Sequence, residues 1–156
     1  MPFWHNGYLD RVLGPGDLVF GRMAVDGAMW MPILEKAAAK LFGNYEVLSG
    51  GWMGPAVQML TGAPYFNTSH ESNSIDEVWD YIDAKLRKNW VITTVSQTGT
   101  GNHNDKNQLG VPNNHAFTIN NALKLEDGTK LVQIRNPWGS ESYHGPWSDK
   151  SDTWDE

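Results

Sequence analysis

The chain has 156 residues, with 12 Lys and Arg against 18 Asp and Glu, a formal net charge of −6 and no cysteine. This length is typical of one modest domain. The lack of cysteine excludes disulfide scaffolds, thiolate zinc sites and a cysteine nucleophile carried by this sequence. The acidic balance, without a basic run, argues against nucleic acid as a partner. No membrane span or signal peptide is predicted, and a cytoplasmic location is the expectation.

Glycine and proline punctuate the first 27 residues, which predicts an irregular lead-in whose clearest strand-like piece is Asp17–Gly21. Apolar residues then recur at helical spacing from Trp30 to Leu41. This pattern predicts an amphipathic helix that stops at Gly43. Residues 52–66 have room for one short helix.

A capping-box pattern follows, with Ser74 and Glu77 three residues apart, and predicts a helix that runs to about Lys88. The β-branched stretch Trp90–Ser96 predicts a strand. Residues 97–114 are polar and rich in Asn and Gly. A structureless loop of this length in a compact domain is usually functional or disordered.

Two further strands, His115–Leu125 and Lys130–Arg135, flank the dipeptide Asp127-Gly128, which is typical of a tight antiparallel hairpin. Helices therefore come first and an antiparallel sheet follows, without alternation of strand and helix. This order predicts the α+β fold class. The tail, residues 136–156, is expected to be an ordered loop region if its tryptophans are buried.

His115 begins one strand of this hairpin and Asn136 follows the other, so both lie at its open end. Pairing Glu126 with Thr129 places Asn136 opposite Ile119, on the same face as His115. Four residues along a strand span about 13 Å, too far for a hydrogen bond unless a bulge or a longer turn shifts the register. Two interpretations stay open: a histidine oriented by an amide, as in thiol proteases, or a surface histidine and a turn-forming asparagine. Spacing alone favours the second.

Three segments resemble the calpain family of intracellular cysteine proteases: Glu35–Gly51, Asn113–Ile119 and Ile134–Asp149. They are similar to the family's helix and Gly-Gly junction, to the strand that carries its catalytic histidine, and to its Asn-Pro-Trp-Gly turn. Order and approximate spacing agree as well. The resemblance covers about residues 17–154 and implies a papain-like fold, in which two lobes meet at an active-site cleft.

The dipeptide Thr61-Gly62 resembles the hinge between those lobes. Residues 1–62 would then be the end of the first lobe. Residues 63–156 would be the second lobe, with an antiparallel sheet and flanking helices, truncated at its C-terminal end. The loop at 97–114 corresponds in place to a mobile family loop that gates the cleft.

The resemblance also implies roles for single residues. His115 would be the general base, Asn136 its orienting partner and Trp138 the indole that shields their hydrogen bond, although an ordinary core tryptophan stays the alternative. Gly51 matches a glycine whose backbone meets the extended substrate, with a simple hinge as the alternative. Asn114 stands where the family usually has glycine, so that its side chain would crowd the substrate backbone.

The family's second lobe can bind calcium through acidic residues after the Asn-Pro-Trp-Gly turn. Asp149 matches one of these positions, whereas Ser142 stands where a glutamate is expected. Calcium takes about six to eight oxygen ligands. Calcium binding is therefore an implication of the resemblance, with an incomplete site here, and no metal ligand is assigned. The remaining histidines lack metal-ligand spacing.

The resemblance implies that the chain is part of a calpain-like cysteine endopeptidase and supplies the histidine and asparagine but not the nucleophile. Alone it is expected to be inactive. Its expected partners are a first lobe that carries the cysteine and a protein or peptide substrate. The alternative is a non-catalytic calpain-like module that binds proteins or has a structural role. The residue at the nucleophile position of any preceding segment or partner chain discriminates between the two.

Overall fold

The computed structural model describes residues 2–5, 8–12, 18, 20–96 and 105–155. Within these residues the chain forms helices and strands in the following order: β1 (Pro2–His5), β2 (Tyr8–Val12), α1 (Trp30–Phe42), α2 (Met53–Thr61), α3 (Ile75–Leu86), β3 (Ile92–Val95), β4 (Ala116–Lys124) and β5 (Lys130–Arg135). Short 3-10 helices lie at Glu46–Ser49, His70–Ser72 and Asp152–Asp155. Strands β1 and β2 pair with each other, and a second antiparallel sheet has the order β3-β4-β5. The predicted α+β class is confirmed.

The chain divides into two units, Met1–Pro64 and Tyr65–Glu156. The first contains the β1–β2 hairpin with α1 and α2, and the second contains α3 and the three-stranded sheet. The assignment of residues 1–62 and 63–156 to two protease lobes stays a prediction. None of the helices in the described ranges has the length and apolar character needed to cross a membrane.

The first unit corrects the predicted lead-in. Residues 2–5 and 8–12 form the antiparallel pair β1–β2, and the sequence signal for this pair was the dipeptide Asn6-Gly7 between them. Of the strand-like piece Asp17–Gly21, residues 18, 20 and 21 are described, and none of them is in a strand. The backbone N–H groups of Phe20 and Gly21 donate to the Glu35 carboxylate on α1 instead of to a neighbouring strand.

The predicted helices of the first unit are confirmed. Helix α1 begins at Trp30 and ends at Phe42, followed by Gly43 with a φ of +108°. Glycine adopts such a positive φ without the steric cost that a Cβ brings, which explains why the helix stops there. Helix α2 lies within the segment that had room for one short helix, and Gly62 ends it by donating its N–H to the Gln58 carbonyl.

Helix α3 of the second unit begins with the predicted capping box. The Ser74 hydroxyl accepts the Glu77 N–H at 3.3 Å, and the Glu77 carboxylate accepts the Ser74 N–H at 2.8 Å. The helix is joined to the sheet by Trp79, whose Nε1 donates to the Leu131 carbonyl at 3.2 Å. Lys130 adds ion pairs to α3, including one of 2.8 Å to Asp76. These contacts fix α3 against the turn end of the β4–β5 hairpin.

The strands of the second unit lie where the sequence predicts them. Strand β3 occupies the middle of Trp90–Ser96, β4 begins one residue after His115, and β5 has the predicted bounds. Ile119, near the centre of β4, is 6% exposed and is a buried apolar residue of this unit. The sheet therefore packs around the middle of β4, and His115 lies just before this strand.

Candidate active site

The register of the β4–β5 hairpin differs from the predicted one at the turn. The predicted pairing of Glu126 with Thr129 is wrong, because the Leu125 N–H donates to the Thr129 carbonyl at 2.9 Å. Lys124 accordingly pairs with Lys130. The loop is one residue longer than a two-residue Asp-Gly turn allows, which shifts every later pair by one position.

A second shift of register lies at Asn120, which has no partner in the ladder. Beyond it Thr118 pairs with Arg135. Continued by one residue, this register brings Asn136 to within two positions of His115 instead of four, about 7 Å along the strand. Both residues keep the same face of the sheet, because the combined shift is an even number of residues.

The side chains of His115 and Asn136 are hydrogen-bonded, with 2.8 Å between Nε2 and Oδ1. The Trp138 backbone N–H donates to the same Oδ1 at 3.0 Å, which fixes the oxygen and not the nitrogen of the amide toward the imidazole. Since Oδ1 can only accept, Nε2 carries the ring proton and Nδ1 of the neutral ring keeps a lone pair. The pair can therefore present a base in one defined tautomer.

Two aromatic rings contact the His115 imidazole. The Trp138 ring lies 4.3 Å from it between centroids, and the Phe117 ring meets it edge-on at 4.7 Å. Trp138 is 46% exposed in this structure, and its role beside His115 stays a prediction. The imidazole is half-buried between these rings, and its environment on those sides is apolar.

The backbone of His115 is held by Ser96, the residue after β3. The His115 N–H donates to Ser96 Oγ at 3.0 Å, and the Ser96 N–H donates to the His115 carbonyl at 3.0 Å. The Ser96 hydroxyl in turn donates to the Pro112 carbonyl at 2.6 Å. Sequence reasoning placed Ser96 only as the last residue of a strand, and no local pattern marks this contact.

Asn114 has a φ of +49°, in the left-handed region. Glycine adopts this conformation freely, and asparagine is among the few other residues that tolerate it. The left-handed backbone conformation just before His115 therefore explains why glycine suits this position and why asparagine can replace it. The Asn114 side chain is exposed, and its effect on a substrate stays a prediction.

Part of the predicted loop 97–114 is held by backbone and side-chain hydrogen bonds. The Asn107 carboxamide oxygen accepts the backbone N–H groups of Leu109 and Val111, and the His144 N–H donates to the Leu109 carbonyl at 3.0 Å. Nε2 of His144 also lies 3.1 Å from the Gln108 carbonyl oxygen. Residues 105–114 are thus tied to the segment after the Asn-Pro-Trp-Gly turn, while residues 97–104 lie outside the described residues.

Gly51 belongs to the other unit, Met1–Pro64. Among the residues that the structure describes, no heavy atom outside Gly51 and its two chain neighbours lies within 4 Å of the point where a Cβ would stand, and the φ of Gly51 is outside the left-handed region. Local packing and backbone conformation therefore do not require glycine here. Its role toward substrate stays a prediction.

The calcium positions implied by the resemblance offer few ligands. The Asp149 N–H donates to the Glu141 carboxylate at 2.9 Å, and the Ser142 carbonyl oxygen lies 3.4 Å from Nδ1 of His144. Within the residues that the structure describes, no group of three or more His, Asp or Glu side chains could hold a metal ion. Calcium takes about six to eight oxygen ligands, and calcium binding at these positions stays a prediction.

An α+β domain that presents a histidine oriented by an asparagine amide has the geometry that thiol proteases use. Residues 4–156 match the family model described as calpain family cysteine protease. The chain is 36% identical over 149 residues to a calpain-type cysteine protease of Oryza sativa subsp. japonica, covering 91% of this chain and 7% of that protein. It is 31% identical over 163 residues to calpain-9 of Rattus norvegicus, covering 97% of this chain and 24% of that protein.

The chain therefore belongs to the calpain family of cysteine proteases. It spans a quarter or less of the length of these two relatives.

Proposed function

We propose that this chain supplies a general base, His115, and its orienting partner, Asn136, to the active site of a calpain-like cysteine endopeptidase. The observation that carries the proposal is the 2.8 Å hydrogen bond between His115 Nε2 and Asn136 Oδ1. The sequence contains no cysteine. The nucleophile must then come from a segment or chain other than this one, and the proposed location of the assembled enzyme is the cytoplasm.

In the proposed reaction, Nδ1 of His115 accepts the proton of the incoming thiol. The thiolate attacks the carbonyl carbon of a peptide bond, and the carbonyl electron pair moves to its oxygen to give a tetrahedral oxyanion. When this collapses, the C–N bond breaks and the imidazolium gives its proton to the departing amine. Water, deprotonated by the same Nδ1, then hydrolyses the thioester, and the proton returns to the thiol.

Asn136 contributes by holding one tautomer. Because its Oδ1 is already fixed by the Trp138 N–H, it accepts only from a ring nitrogen that carries a proton, which directs Nδ1 toward the thiol. The imidazolium formed during the reaction keeps this hydrogen bond. The Trp138 indole, 4.3 Å from the imidazole, is proposed to limit the access of water to it.

The proposed substrate is an extended peptide. Asn114, exposed and directly before His115, is proposed to contact its backbone. On the family resemblance, the backbone of Gly51 is also proposed to contact the extended substrate.

The test is peptide hydrolysis by this chain together with the segment or partner chain that holds the family's cysteine. The chain alone is expected to give no hydrolysis that a thiol-directed inhibitor blocks. In the complete enzyme His115→Ala should lower kcat by about 10²- to 10⁴-fold, the contribution typical of a general base. Asn136→Ala should lower it by about 10²-fold through misorientation of the ring.

Ser74→Ala, at the start of α3, serves as the control for general loss of stability. If no cysteine stands at the nucleophile position of any preceding segment or partner, the non-catalytic module is the better description. Full activity of the His115→Ala enzyme would also overturn the proposal.

A further inference from the structure

We propose that Ser96 is a positioning residue for His115, and that its hydroxyl sets the orientation in which the imidazole meets Asn136. The inference rests on the proposed function for its catalytic meaning, because only there is His115 the base. Ser96 contacts neither the ring of His115 nor any reacting atom in the proposed scheme. It acts through the backbone of the residue that does.

The hydroxyl of Ser96 takes the place of a backbone acceptor at the end of a ladder. The β3–β4 ladder ends with Val95 opposite Ala116. One residue further, the Ser96 N–H still donates to the His115 carbonyl at 3.0 Å, but the return bond from the His115 N–H goes to Ser96 Oγ at 3.0 Å. The pairing of the two strands is therefore extended to His115 by a side chain.

The same hydroxyl also closes the turn that leads into β4. It donates to the Pro112 carbonyl at 2.6 Å, and Pro112 is fully buried. Between Pro112 and His115 the chain turns through Asn114 with its positive φ. A hydroxyl has one proton to donate and lone pairs to accept. Ser96 uses both functions, one on each side of this turn.

Three strands contribute to the resulting arrangement. Ser96 follows β3, His115 precedes β4, and Asn136 follows β5. The bond from His115 to Asn136 spans 21 residues and the bond from Ser96 to His115 spans 19. If the hydroxyl is removed, the His115 N–H and the buried Pro112 carbonyl lose their partner. We therefore expect the backbone of His115 to shift and its ring to leave the fixed Oδ1.

The experiment reads the tautomer of His115 in the full chain with [15N]histidine, without any thiol or substrate. The His115 signals are assigned by their loss in His115→Gln. In the unchanged chain, the two ring nitrogens should give well-separated signals, with Nε2 protonated and Nδ1 not. In Ser96→Ala the two signals should shift toward each other, because both tautomers become populated. Ser96→Thr, which keeps the hydroxyl, should restore the separation.

Ser74→Ala is the matched control, because it removes a hydroxyl that bonds to Glu77 at the start of α3. It should lower the Tm and leave the His115 signals in place. If Ser96→Ala lowers the Tm in the same way and also leaves them in place, Ser96 is merely structural and the proposal is wrong.

Should Ser96→Ala fail to fold, Ser96→Cys replaces it, since a thiol fills the space but hydrogen-bonds weakly. Unchanged His115 signals in that variant would equally overturn the proposal. The two proposals can fail separately. If the complete enzyme with Ser96 unchanged hydrolyses no peptide, while Ser96→Ala shifts the His115 signals, the proposed protease function is refuted and the role of Ser96 stands.

Discussion

The β4–β5 hairpin has a turn end at residues 125–129 and an open end at His115 and Asn136. At the turn end, Asp127 accepts the N–H and the hydroxyl of Thr129, two residues away, both at 2.8 Å. At the open end, the hydrogen bonds of His115 reach residues 19 and 21 positions distant in sequence. The hydrogen bonds of the turn itself join neighbours in the chain, whereas those of His115 join residues that lie next to three different strands.

The difference shows how the candidate site depends on the rest of the sheet. The turn can form whether or not the strands are in register, because its contacts lie within a few residues. Every change of register between the turn and the open end alters which residues lie opposite each other at the open end. Since a slip of one residue turns a side chain to the opposite face, the residue count of the hairpin decides whether His115 meets Asn136.

Insertion of one alanine after Asn120 should have the largest effect. It adds a second extra residue to β4 beside the unpaired Asn120, so that Ile119, now 6% exposed, and His115 move by one position along β5 and change face relative to it. We expect a loss of about 3 kcal/mol in the free energy of unfolding, comparable to truncating a buried isoleucine. The bond between His115 and Asn136 should be lost as well. Urea unfolding and [15N]histidine spectra measure the two effects.

Asn120→Ala is the control for this insertion, because it places an alanine at the same point of β4 while keeping the residue count. It should leave the His115 signals unchanged. An insertion variant that retains those signals would show that register does not decide the meeting of the two residues.

Asn136→Ala should have an intermediate effect, confined to the open end. It removes the acceptor of both the His115 ring and the Trp138 N–H. Two hydrogen bonds of this kind contribute about 1 to 2 kcal/mol to stability, which thermal unfolding can resolve. Asn121→Ala is the matched control, since the Asn121 side chain bonds only to the N–H of the next residue in the described structure. Equal losses in the two variants would contradict the prediction.

Asp127→Asn should have the smallest effect, seen in how the stability changes as the pH falls into the acid range. The hydrogen bonds from the Thr129 N–H and then from its hydroxyl hold the pKa of Asp127 below its ordinary value. A carboxyl with a lowered folded pKa stabilises the fold above its unfolded pKa, about 3.9 for Asp, and this stability is lost as the pH falls through the folded pKa. The variant should therefore lose less stability than the unchanged chain in this range.

The measurement is the free energy of unfolding from about pH 2 to pH 7. The pKa of Glu77 is lowered too, by its hydrogen bonds with Ser74. A residual acid dependence is therefore expected in the variant. Superimposable profiles for the two proteins would show that the turn does not depend on the ionised carboxyl.

Short-range patterns predicted much of this fold correctly. Ser74 and Glu77, three residues apart, located the start of α3, and helical periodicity located α1. Asp127-Gly128 located the hairpin but not its loop length, because one residue more or less in a turn leaves no clear mark in composition. The β1–β2 hairpin was missed although Asn6-Gly7 is a recognised hairpin dipeptide.

The candidate site was predictable only in part. The sequence indicated that His115 and Asn136 share a face, and it named a bulge or a longer turn as the condition for their contact. Both occur, at Asn120 and at the turn, but nothing local to either position predicted them. The contact of Ser96 with His115 was not predictable from the residues at all, since it joins positions 19 apart in the sequence.

The positive φ of Asn114 has a consequence for how this position can evolve. The codons of asparagine and glycine differ at their first two bases, so single-base changes connect them through aspartate or serine. Aspartate, like asparagine, has a short polar side chain that permits left-handed backbone. A lineage could therefore exchange asparagine for glycine before the histidine by way of aspartate, and every intermediate would still make the turn that leads into β4.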